Sequence, residues 1–120
     1  GDAGLSGEAE VRFLLPTQTE LIPDDSVDFG FNMASFQEMS LATVNQYLAL
    51  MARKLRVTGR LVSMNCEVSR YFKENTLKSY DLAGYHSVAS MKDAPFTSEL
   101  AGPGLRVVHL EIEKRSGAGA

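Results

Sequence analysis

The sequence has one cysteine, no tryptophan and four prolines among 120 residues. A single cysteine excludes an intrachain disulfide, and the absence of a CxxC pair excludes the usual structural zinc sites. No apolar run reaches the roughly 18 residues of a membrane span. The start, Gly1 to Glu10, is small and acidic, without the basic and apolar regions of a signal peptide. Excess positive charge is also missing: twelve Lys and Arg face fifteen Asp and Glu, for a net charge of −3. Nucleic-acid binding through a dense basic face is therefore disfavoured. A reduced, cytoplasmic protein with no membrane or nucleic-acid partner is the expectation.

Hydrophobic residues make up 44% and charged residues 22%, a globular composition. The length suits one domain, expected over residues 11–115, with tails at 1–10 and 116–120. Val11 to Leu15, stopped by Pro16, reads as a short strand. Pro23-Asp24-Asp25-Ser26 reads as a turn. Val27 to Met33 reads as a second strand, apolar enough on both faces to suggest burial on both sides. In Ser40 to Arg56, Leu41, Val44, Leu48, Met51, Ala52 and Leu55 fall on one helical stripe. Ser40 is its expected N-cap, and Gly59 suits a left-handed closing residue. Arg60 to Cys66 reads as a third strand, which makes Val27 to Cys66 a parallel βαβ unit. Further on, Val68 to Lys78 suggests a short helix, His86 to Met91 a strand, and Lys92 to Gly104 a long loop. Leu105 to Lys114 alternates as a half-exposed strand, antiparallel to its neighbour and near a sheet edge.

Ligands of open α/β sheets bind outside the carboxyl ends of the parallel strands. Two polar segments fall there: Asn32 to Met39, and Asn65-Cys66-Glu67. Asn32, Ser35, Gln37 and Asn65 are the expected substrate-binding residues, with Glu38 the candidate base. Each has a plainer reading. The asparagines suit loop backbone hydrogen bonds, and Ser35 to Glu38 fits a Ser-x-x-Glu capping box. His86 and His109 lack metal-ligand spacing, so no metal site is expected. Cys66 reads as a small buried residue, and the methionines as core filler.

The run Val27-Asp28-Phe29-Gly30-Phe31-Asn32, then Ser35-Phe36-Gln37-Glu38-Met39, Tyr47, and Gly59 to Asn65 resembles class I S-adenosylmethionine-dependent methyltransferases. Within these it is most similar to the sugar O-methyltransferase family. The resemblance implies a partial Rossmann-like methyltransferase sheet: a parallel βαβ core with a C-terminal antiparallel strand pair. It implies S-adenosylmethionine as cofactor and a sugar or other small molecule as acceptor. The family's glycine-rich loop is missing, since Gly1, Gly4 and Gly7 follow no strand, and cofactor-binding residues are not identified. The chain would then be the acceptor-side half of such an enzyme, inactive in isolation. A strand left as an open edge would favour a homo-oligomer or a longer parent chain. The alternative is a non-catalytic α/β module for oligomerisation or partner binding.

Overall fold

A computed structural model describes residues 11–92 and 106–116. Strand β1 (Val27–Met33) leads through a 3-10 turn (Phe36–Glu38) into helix α1 (Leu41–Lys54). Strands β2 (Leu55–Cys66), β3 (Tyr85–Lys92) and β4 (Val107–Lys114) complete one sheet of order β1-β2-β4-β3. β1 and β2 are parallel, while β2 with β4 and β3 with β4 are antiparallel. The chain is thus α/β with a mixed four-stranded sheet, in which one pairing of three is parallel. No helix among the described residues is long and apolar enough to cross a membrane.

The helix forms where the apolar stripe lies. Val44, Leu48 and Ala52 are buried, and Leu41 and Met51 pack at the margin. Ser40 caps it, its Oγ accepting from Thr43 N at 3.3 Å, so one free first-turn donor is satisfied. Across from the stripe lie Leu55 and Leu61 of β2 and Leu110 and Ile112 of β4. Aromatic residues close the core. Phe36 lies 6.4 Å from the Tyr47 ring and meets Tyr80 edge-on at 6.2 Å. Tyr85 donates its hydroxyl to Leu48 O at 2.5 Å, which satisfies the polar tip of a buried ring.

Several expectations are corrected here. Val11 to Leu15 pairs with no strand; its backbone is irregular and enters a 3-10 helix, Pro16–Leu21. β1 is not buried on both sides: Phe29, Phe31 and Met33 are more than half exposed. Val68 to Lys78 holds a Val68–Thr76 bridge and a one-turn 3-10 helix rather than a longer helix. β4 is interior, and β3 takes the edge instead. The expected tail at 1–10 and most of the loop at 92–104 lie outside the described residues.

Gly59 does not close the helix. The helix ends at Lys54, and Leu55 is already extended. Three residues are then looped out. β2 advances from Leu55 to Arg60 while β1 advances only from Val27 to Phe29. Within this bulge Thr58 takes the left-handed φ, 69°. Gly59 serves close approach: a Cβ there would sit 2.7 Å from Arg56 O and 3.0 Å from Val27 O. Gly30 differs, because its Cβ would meet the flexible end of Met51, at 2.5 Å from Cε, and Leu61 Cδ1 at 3.1 Å.

Two buried lysines tie the far end of the sheet. Lys54 Nζ reaches Asp24 at 2.8 Å. Lys114 Nζ reaches Asp25 at 2.5 Å and donates to Leu55 O at 2.7 Å. The expected Pro23–Ser26 turn places both carboxylates, and its backbone caps the helix, Asp25 N to Arg53 O and Ser26 N to Lys54 O. The Lys54 ammonium, by hydrogen bonding, holds the Asp24 carboxyl below its ordinary value of 3.8.

Two tests follow from this packing. Gly59→Ala should cost about 1–3 kcal/mol in urea unfolding, because backbone must move. Gly30→Ala should cost less, because Met51 can turn away. The Asp24 contribution has a fixed sign. Its folded pKa is depressed, so its stabilisation is present above the unfolded value and lost as pH falls through the folded one. Unfolding midpoints of the wild type should therefore fall below about pH 4. Asp24→Asn should be less stable at neutral pH and show a shallower acid decline.

Candidate functional site

The carboxyl ends of the parallel strands β1 and β2 lie side by side, ending in the pairs Asn32–Ser63 and Met33–Met64. The chain leaves β1 through Ala34, whose φ of 59° is left-handed and whose N donates to Met64 O at 2.9 Å. That turn throws Ser35 to Glu38 across the end of β2. Phe36, buried in the core, anchors the segment.

Four of the five expected site residues form one network. Asn65 is 1% exposed and fully used. Its Nδ2 donates to Asn32 Oδ1 at 2.9 Å and Ser63 Oγ at 2.8 Å, and its Oδ1 accepts from Gln37 N at 3.2 Å. Asn32 donates to Ser35 Oγ at 2.6 Å and accepts from Phe36 N at 3.3 Å. Gln37 Oε1 accepts from Cys66 N at 2.7 Å. The plainer reading therefore holds for the two asparagines: they fix loop backbone and each other. The capping box does not form. The helix starts after Ser40, and Ser35 Oγ caps nothing, accepting instead from Asn32.

Unspent capacity faces outward. Among the described residues, neither the Ser35 hydroxyl hydrogen nor Gln37 Nε2 has an acceptor. Glu38 is exposed, and its carboxylate makes no hydrogen bond or ion pair to a described residue. The three stand within four residues on one polar turn at the joined strand ends.

Two further residues hold the turn and were not anticipated from the sequence. Ser69 donates to Gln37 O at 2.6 Å. Asn75, 2% exposed, donates from Nδ2 to Phe36 O at 2.8 Å and Met39 O at 2.6 Å. Cys66 is buried, and burial pushes its thiol above the ordinary value, against a reactive role. His86 lies on edge strand β3, 2.7 Å from Glu113, and takes no part in the network. No group of three or more His, Cys, Asp and Glu among the described residues is arranged to hold a metal ion. A groove of 680 Å³ between α1 and residues 81–85 contains none of the five expected residues, and Asn45 there is already bonded to Asp81 N.

The residues present do not fit S-adenosylmethionine by themselves. No glycine stands in the turn leaving β1, where Ala34 carries the left-handed φ. Neither β1, ending Asn32-Met33, nor β2, ending Asn65-Cys66, closes on an acidic residue for ribose hydroxyls.

No family model and no curated protein matches the chain. Among solved structures it is similar to the crystal structure of the [4+2]-cyclase SpnF, with a TM-score of 0.57 and 18% identity. The match covers 79% of this chain and 52% of that one, so the chain spans about half of that protein's length. At this identity the likeness is one of fold. It corrects the family assignment: the matched structure is titled a cyclase, and no model supports the sugar O-methyltransferase family.

Asn65 should be the costly residue of the network. Asn65→Ala should lower stability by about 2–3 kcal/mol in urea unfolding, because it strands buried partners. Ser35→Ala, on the half-exposed rim, should cost under about 1 kcal/mol.

Proposed function

We propose that this chain is the substrate-side part of an α/β enzyme acting on a small hydroxyl-bearing molecule, held at the Ser35–Glu38 turn. One observation carries the reading: among the described residues, Ser35 and Gln37 keep free donors beside an unpaired Glu38 carboxylate at the joined strand ends. Donors of this kind orient an oxygen-rich ligand, and the buried asparagines hold them rigid at little entropic cost. Glu38 is placed to accept a proton from the ligand hydroxyl, leaving its oxygen as the nucleophile. A solved structure of similar fold is titled a [4+2]-cyclase. Methyl transfer to a sugar hydroxyl is the finer form of the reading. It needs S-adenosylmethionine to be held by residues beyond those described.

The test is amide NMR on this chain, with S-adenosylmethionine and then a panel of monosaccharides as probes. Ligand binding should shift the Gln37 side-chain amide and the backbone of residues 34–38. Ser35→Ala should weaken it about tenfold. Glu38→Gln should leave affinity nearly unchanged, because its carboxylate is assigned to the proton and not to holding the ligand. Shifts confined to the groove beside α1, or none at millimolar probe, would sink the proposal.

A further inference from the structure

Among the described residues, β1 is an edge strand with β2 as its one neighbour. Edge strands are normally blunted by charge, proline or a covering element. β1 has no proline and one charge, Asp28, already paired with Arg56. Side chains alternate along it. Gly30 faces α1, where Met51 fills the space beside it. Phe29, Phe31 and Met33 point the other way, exposed by 57%, 55% and 53%. Among the described residues, an unpaired edge thus carries an uncovered apolar stripe, a combination monomeric proteins avoid.

The strand sequence indicates what fits there. Val27-Asp28-Phe29-Gly30-Phe31-Asn32-Met33 reads nearly the same in both directions about Gly30. When a second copy lies antiparallel with Gly30 opposite Gly30, the central positions find suitable partners. Phe29 faces Phe31 and Asp28 faces Asn32, so no like charges meet. Aromatic pairs across antiparallel strands are among the favourable ones. A two-fold axis needs this kind of self-complementary patch.

We propose that β1 is a homodimerisation edge, two copies joining antiparallel about Gly30 into one continuous eight-stranded sheet, twice the four strands of one chain. This is independent of the ligand reading above, because its surface is the strand edge rather than the Ser35–Glu38 turn.

The register makes the test specific. Light scattering on the wild-type chain across a concentration series should show about a twofold rise in mass. The double variant Phe29→Glu/Phe31→Glu places Glu opposite Glu in both pairs and should remain monomeric. The double variant Phe29→Lys/Phe31→Glu places Lys opposite Glu twice and should recover the dimer at low salt. Both positions are exposed, and circular dichroism confirms that the variants fold. A wild type that stays monomeric to its solubility limit would overturn the proposal, the edge then belonging to a strand of other polypeptide. Two variants with equal masses would overturn the register.

Discussion

The carboxyl pole depends on one buried amide. Asn65 lies inside β2 with almost no exposure, where an unbonded polar group is costly. It has three polar sites in use, on Asn32 of β1, Ser63 of its own strand and Gln37 of the turn. No two of these partners lie on the same element, so satisfying Asn65 fixes three pieces of chain at once. The left-handed Ala34 is kept by the same closure, since its N–H is bound to Met64 O while the network holds the residues after it. Gln37 is held by its Oε1 and backbone, so its Nε2 is left without an acceptor among the described residues.

The two poles of the sheet are built from different chemistry. At the amino end of β1, Lys54 and Lys114 are buried and matched by Asp24 and Asp25 from a tight turn. Lys114 also reaches Leu55 O, so the pair ties β4 to the start of β2 and to the end of α1. Those charges are spent on each other, which suits a fastening and not a binding site. The carboxyl pole is closed by neutral amides and hydroxyls, and the Glu38 carboxylate there has no partner among the described residues. Rigid neutral support beneath an unpaired acid is the arrangement a proton-accepting group needs.

Periodicity carried most of what the sequence revealed. α1 and β4 are found where the helical stripe and alternation put them, because each buries one face against the same core; β1 lies where its apolar run put it, but with one face exposed. The misreadings fall where local pattern lacks a partner. Val11 to Leu15 has strand composition but meets no neighbouring strand. The three-residue bulge before Arg60 shifts the left-handed position from Gly59 to Thr58, which no propensity would indicate in a β-branched residue. At the strand ends, polarity pointed to residues that the fold brings into one network, but the asparagines bond loop backbone and each other. Ser69 and Asn75, which hold the turn through the carbonyls of Phe36, Gln37 and Met39, come from a stretch without periodic signal.

β1 belongs to two surfaces at once, and its geometry keeps them apart. Its last residues enter the amide network, while its free edge and its Phe29–Phe31–Met33 face lie on sides the network does not use. Antiparallel pairing about Gly30 points the two Met33 ends in opposite directions. The two Ser35–Glu38 turns then stand at opposite ends of the joined sheet, and neither copy lies over the other's turn. Pairing would still stiffen β1, and with it Asn32, which sits two residues beyond the symmetry centre and bonds Asn65, Ser35 and Phe36. Under the proposed pairing, assembly would act on the Ser35–Glu38 turn through the rigidity of its support, not by adding or blocking contacts there.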